Sequence, residues 1–453
     1  MKKLFISLFI CLVCTIAFSQ SQLPDNFDEW IENGRKDWLI PGLAVGIVKD
    51  GKVVYAKGFG EKQLGSKDLV DANTVFSIAS VSKNITAAAL GILVDEGLIS
   101  WGDKITDHIP WFQFKDPWVT KETTIRDALT HQIGLGRILG NRLQFMTSSS
   151  RDEVLYRVRY MDFEKPFRSS FVYNNVMYSL AGQIIPYTDG RSWDDFLQQR
   201  LFKPLGMNRT TTTLKELMAQ DNVAYPHQFI NGKIVPIQRR NWDNAGPAGG
   251  VNSTINDLNR WMLMQLGTPG MLDGKRLISE KQMNEIHKPQ MIRPIYDALD
   301  SQASYGLGWN ILDYQNKRVL THGGATDGFN TFMYLVPEIE LGIVVVTNTF
   351  NNFGTAISYQ VMDAFMGGNT KDWNTHYFNQ YKNYFNAVQN ERNKIDESRV
   401  KNSSPSLNLS KYVGVYESKA YGKVEVMLQG KGLNIRFWDD KNLEAKLEHW
   451  HYD

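Results

Sequence analysis

Residues 81–94 read VSKNITAAALGILV, a helix-forming run that is apolar on nearly every side. A helix hydrophobic all round belongs inside a protein, so the chain must wrap a large core around it. Its 453 residues are enough for that and for more than one domain. The same run carries Lys83 in its first turn, three residues after Ser80. On a helix, positions i and i+3 are neighbours on one face. A serine hydroxyl is a poor nucleophile until a base takes its proton. Burial and the positive end of the helix dipole both disfavour a charged lysine, which makes Lys83 a candidate base. The helix start also aims N–H groups at any negative oxygen formed near Ser80. The alternative, Ser80 as an ordinary N-cap, explains the serine and leaves Lys83 without a reason.

Strand signals sit at both ends of the chain. LAVGIVKDGKVVYAKGFG (43–60) is two β-type runs around Asp50-Gly51, a hairpin pattern. KRVLTHGGATDGFNTFMYLVPEIELGIVVVTNTF (317–350) predicts three more strands, with turns at Thr326-Asp327-Gly328 and Pro337-Glu338. A mostly helical stretch lies between them, so the pattern predicts one mixed sheet with a helical insertion. From Gln389 to Ser410 the chain turns polar and reads as a linker or a fraying helix end. The segment after it alternates like about four short strands, too few to close a barrel.

MKKLFISLFICLVCTIAFSQ opens with Lys2 and Lys3, continues as an apolar run and ends in small residues. It reads as a secretory signal peptide cleaved after Ser19, which predicts a secreted or periplasmic protein without stable membrane insertion. Cys11 and Cys14, the chain's two cysteines, fall inside it, so the processed protein would have neither disulfide nor thiol nucleophile. A formal charge of +2 gives no electrostatic argument for nucleic acid as a partner.

The S-x-x-K pattern means little alone, since it occurs both at Ser80–Lys83 and in the polar stretch at Ser398–Lys401. Around Ser80 it has company: LTHQIGL (129–135), YNNVMYSLAGQII (173–185), LFKPLGM (201–207), GPAGGVNSTINDLNRWM (246–262), YGLGW (305–309) and HGGATDGF (322–329). With these landmarks in order, the chain from Leu39 to Phe365 resembles the serine β-lactamase and penicillin-binding-protein family. The branch is that of class C β-lactamases, D,D-carboxypeptidases, D-aminopeptidases and related esterases. The resemblance implies an α/β (α+β) β-lactamase/transpeptidase-like fold, an antiparallel sheet flanked by helices with a helical subdomain. Together with the composition, it divides the chain into a signal peptide over 1–19, a serine hydrolase domain over 20–388, a linker over 389–410 and a β-rich accessory segment over 411–453 that this sequence need not complete.

By the same resemblance Ser80 is the nucleophile, and Lys83 and Tyr173 share the proton transfer. A phenol suits that role if nearby cations lower its pKa. Asn175 would hydrogen-bond Lys83 and the substrate amide; otherwise Tyr173 is a packed aromatic and Asn175 a helix cap. The third motif departs from the usual K-T-G of β-lactamases: it is His322-Gly323-Gly324. Gly324 would let a ligand approach closely, and the N–H of Ala325 would complete an oxyanion hole with that of Ser80. His322 would orient a substrate carboxylate or the Tyr173 hydroxyl, but histidine is only partly charged at neutral pH. This, with Gly323 in place of threonine, favours a D-amino-acid-containing peptide over a β-lactam, with an ester equally compatible. No metal or organic cofactor is implied, and the partner is a small-molecule or peptide substrate. A catalytically silent penicillin sensor is the alternative. His131 reads as a scaffold residue. His449 and His451 read as a surface strand rather than metal ligands, having no third ligand nearby.

Overall fold

The computed structural model describes residues 23–144, 147–295, 302–367, 371–437 and 440–453. The leader-like segment 1–19 and both cysteines lie outside the described residues. Among the described residues no helix is long and apolar enough to cross a membrane.

The hairpin read from Asp50-Gly51 forms β1 (Gly42–Lys49) and β2 (Lys52–Gly60). The downstream strands are β3 (Met291–Ile292), β4 (Ala303–Tyr305), β5 (Asn310–Tyr314), β6 (Lys317–Thr326), β7 (Phe329–Val336) and β8 (Leu341–Thr347). They join in the order β2-β1-β8-β7-β6-β5-β4-β3, so strands from the two ends of the domain meet at β1–β8. Every pairing in this sheet is antiparallel, and the mixed sheet expected from the strand pattern is corrected accordingly. Hairpins and a long return connection need no parallel crossover.

Period-two alternation sends successive residues of one strand to opposite faces. In β8, Val344 and Val346 join one core while Ile343 and Val345 join the other. The second core is closed by α1 (Phe27–Asp37), α6 (Phe353–Met366) and the first turns of α7 (Trp373–Ser398). The first is closed by the helical insertion: α2 (Ser82–Asp95), α4 (Asn175–Thr188) and α5 (Ile255–Gln265), with the short α3 (Arg137–Arg142) at its edge. α2 contains the apolar run of residues 82–94 and is buried from Ser82 through Leu93.

The first part of the polar stretch is helical. α7 stays helical through Ser398, although only Trp373 and Tyr377 of its 26 residues are buried. Its Gln, Glu, Lys and Arg residues are good helix formers that need no packing partner. The tail is an open four-stranded antiparallel meander of β9 (Gly414–Ser418), β10 (Gly422–Gln429), β11 (Gly432–Phe437) and β12 (Asp440–Leu447). Arg399 ties its end back, donating to the carbonyls of His449 (2.8 Å) and Trp450 (2.7 Å). His449 bonds the Tyr452 carbonyl and His451 accepts from the Val400 N–H.

Candidate active site

The nucleophile candidate sits on a tight entry to α2. The chain passes through a left-handed Ala79 (φ +47°) and a single 3₁₀ turn, Ala79–Val81, before α2 begins at Ser82. A left-handed non-glycine residue is strained and persists only where its surroundings fix it. Ser82 supplies part of that restraint. Its hydroxyl donates to the Ala79 carbonyl (2.7 Å) and accepts from the Val251 N–H (3.0 Å). Of the two serines in SVSK, Ser82 is thus committed to structure, while Ser80 is half-buried and faces the cleft.

Lys83 is fully buried, and its Nζ has three oxygen neighbours: Ser80 Oγ at 3.1 Å, Asn175 Oδ1 at 2.7 Å and the Ala248 carbonyl at 2.6 Å. None is a carboxylate. Burial first, and the charge of Arg137 second, push the amine well below the usual lysine range. A neutral amine has two N–H donors and one lone pair. The Asn175 and Ala248 oxygens take the two donors, so the lone pair is left for the Ser80 hydroxyl. Desolvation is the larger cause and the neighbouring guanidinium the smaller.

Tyr173 lies just before α4, whose N-cap is Asn174, with Oδ1 accepting from the Val176 N–H (2.9 Å). Asn175 is therefore released from capping and turns its amide oxygen to Lys83. The Tyr173 ring packs 4.9 Å from Lys83 Nζ. Its phenol is raised, not lowered as the cation argument expects: burial outweighs the Ser80 hydroxyl and the Arg137 charge. Tyr173 is a protonated donor at neutral pH.

β6 forms the opposite wall. A Cβ on Gly324 would lie 2.2 Å from the Ile78 carbonyl and 3.2 Å from the Ser80 nitrogen. The close approach that requires glycine here is by the Ile78–Ser80 backbone. Ala325 is exposed into the cleft on both sides of Ser80. Gly323 has open space, its nearest neighbour to a Cβ being 3.9 Å away. Gly324→Ala is therefore expected to lower kcat/KM by about 10²–10³-fold by moving β6 off Ser80, while Gly323→Ala stays near wild type; steady-state kinetics on the two variants checks this.

His322 departs from its expected role. It is buried, its Nδ1 donates to the Gly323 carbonyl (2.8 Å), and its Nε2 accepts from the Tyr305 hydroxyl (3.0 Å). Burial, then the Lys83 charge, pull it down to about 3. It is neutral rather than partly charged, and both ring nitrogens are used, so it offers nothing to a carboxylate. His131, read as scaffold, packs against Tyr173 in a tilted arrangement at 4.4 Å between ring centroids and accepts the Asn174 N–H at Nδ1 (3.1 Å). It too is buried and held well below the usual histidine range by desolvation. Both histidines resist protonation in the folded chain, so their contribution is full above the unfolded pKa of 6.5 and is lost as pH falls below it. Stability to denaturant should drop from pH 7 toward 4 by up to about 1.4 kcal/mol per pH unit per histidine, and His322→Asn should flatten the slope.

Two cationic and polar residues were not read from the sequence. Arg137, on α3, lies 5.5 Å over the Tyr173 ring and lines the cleft. Asn141 on the same helix accepts the Asn175 N–H at Oδ1 (3.1 Å). Neither falls in a spacing that marks it; only the fold brings α3 beside Tyr173. The cleft has a lobe of about 280 Å³ bounded by Trp242, Ala248, Asp327 and Phe350, and a larger one of about 660 Å³ containing Arg137, Tyr173 and His322.

Residues 27–364 match the family described as Beta-lactamase. The chain belongs to the Beta-lactamase family. Residues 398–453 of this Beta-lactamase family chain match a domain of unknown function, DUF3471. The chain is 27% identical over 442 residues to the unguisins hydrolase ungD' of Aspergillus campestris, covering 94% of this chain and 81% of that protein. It is 24% identical over 375 residues to protein flp of Staphylococcus aureus, covering 82% and 71%. Its fold is similar to that of the octameric penicillin-binding protein homologue from Pyrococcus abyssi, with a TM-score of 0.67 at 22% identity over 92% of this chain and 88% of that one.

Proposed function

We propose that this chain is a serine hydrolase that cleaves an amide or ester bond through an acyl-enzyme on Ser80. The observation that carries the reading is Lys83: a fully buried amine with no carboxylate partner among the described residues, its Nζ 3.1 Å from the Ser80 Oγ. Ser80 Oγ attacks the carbonyl carbon as its proton passes to Lys83 Nζ. The oxyanion rests on the N–H groups of Ser80 and Ala325. The carbon–leaving-group bond then breaks, and the departing nitrogen or oxygen takes its proton from the protonated Tyr173–Lys83 pair. Water, deprotonated by the same pair, releases the acyl group and restores the serine.

For substrate class we infer a peptide, foremost one containing a D-amino acid, rather than a β-lactam. His322 supports this, because a neutral imidazole with both nitrogens engaged cannot clamp the β-lactam carboxylate. The relative named an unguisins hydrolase is compatible with hydrolysis on this scaffold.

The test is a panel of D-alanyl peptides, short p-nitrophenyl esters and nitrocefin, read by steady-state turnover and by intact mass after quenching. Turnover of a peptide or ester above nitrocefin, with an acyl mass on the peptide carrying Ser80, is expected. Nitrocefin as the best substrate would overturn the substrate class; the absence of any acyl adduct would overturn the hydrolase reading.

A further inference from the structure

The C-terminal meander does not hang free of the rest of the chain. Its strands are largely half-exposed or exposed, and the last turns of α7 that lead to it are bare. Yet Ala420, in the turn between β9 and β10, is only 6% exposed and joins the insertion-side core, which is otherwise built by residues 44–346. Beside it the Tyr421 phenol lies close enough to the Arg142 guanidinium for that charge to bear on its ionisation. Arg142 is the last residue of α3, and Leu143, which follows it, is buried in the same core as Ala420.

α3 is the helix that faces the reacting groups. Asn141 holds the Asn175 N–H, Asn175 holds Lys83, and Lys83 meets Ser80, with each link a hydrogen bond of 2.7–3.1 Å. Gly140 is packed on Asn174, where a Cβ would lie 2.3 Å from the Asn174 Nδ2. That amide in turn donates to the carbonyls of Leu135 (3.2 Å) and Gly136 (3.0 Å) just before α3. A six-residue helix is too short to hold its own geometry; what fixes it is what packs on its ends. One end rests on Asn174. The other ends at Arg142, whose charge reaches the Tyr421 phenol, and at Leu143, which is buried in the same core as Ala420.

We propose that the C-terminal module is a positioning element of the active site: by seating its Ser418–Gly422 turn at the end of α3, it fixes Asn141 and Arg137 relative to Tyr173 and Lys83. This rests on the hydrolase reading above. The module contributes no reacting group. Its effect runs through α3 on the step in which Ser80 is acylated, so kcat moves while binding by the distant lobe does not.

The experiment uses the full chain with Ala420→Glu, which forces a charge into the seat, and Lys431→Glu at the far β10–β11 turn as control. Hydrogen exchange at the amides of 137–142 and of Asn175 should speed up by about tenfold or more in Ala420→Glu and stay unchanged in Lys431→Glu. The rate at which a fluorophosphonate labels Ser80 should fall by a similar factor, with the main thermal transition retained. In the Asn141→Ala background, Ala420→Glu should cost little further, because both act through the same helix. Unchanged exchange at α3, or costs that simply add, overturns the proposal. A wild-type protein that fails to label at Ser80 overturns the hydrolase reading separately, since the exchange result does not depend on catalysis.

Discussion

Ser80→Ala is expected to remove covalent labelling altogether and to lower kcat/KM by about 10⁴-fold or more, leaving only what binding and the oxyanion donors supply. The change deletes one half-buried hydroxyl whose partners among the described residues are Lys83 and Tyr173. Ser82, two residues on, cannot substitute, because its hydroxyl is tied to Ala79 and Val251. Stability should change by less than about 1 kcal/mol, since no core packing is lost. A folded Ser80→Ala protein that still took up a fluorophosphonate would place the nucleophile elsewhere.

The second large effect belongs to Lys83. Lys83→Met keeps the side chain's length and apolar character but removes the base, and kcat/KM should fall by about 10³–10⁴-fold. Stability should hold or rise, because a buried amine is costly to desolvate, although the Asn175 and Ala248 oxygens lose a donor. Lys83→Arg should be as inactive as Lys83→Met and less stable, since a guanidinium stays charged in a pocket that already pushes the amine toward neutrality. The double variant Ser80→Ala/Lys83→Met should be no worse than Ser80→Ala alone, because the two residues act as one unit. In the wild type the pH profile of kcat/KM should fall on the acid side as Lys83 becomes charged, with no step contributed by His322, which stays neutral down to about pH 3. A full additive loss in the double variant would separate Lys83 from the chemistry.

Together these tests address an inherited arrangement whose parts differ in how directly the sequence exposes them. The strand runs around Asp50-Gly51 and from Lys317 to Thr347 were legible because period-two alternation and turn residues are local properties. The buried α2 was legible because a run without a polar face has one place to go. Ser80, Lys83, Tyr173 and Asn175 could be picked out because each sits at a fixed offset inside its own motif, and the fold does bring the four together.

What needed the tertiary structure was every property set by neighbours distant in the chain. The pairing of β1 with β8, which joins strands far apart in the chain, depends on where the helical insertion returns the chain. Asn141 and Arg137 carry no motif and matter only because α3 packs beside α4. Tyr173 and His322 were assigned ionisation from residue type and nearby charge, and in both burial dominates: the phenol goes up and the imidazole goes down. The sequence determined which functional groups this protein owns and which local elements present them. Only the three-dimensional packing decided which of them are neutral, because the cost of a charge depends on the water that surrounding segments exclude, and no single stretch of chain contains that information.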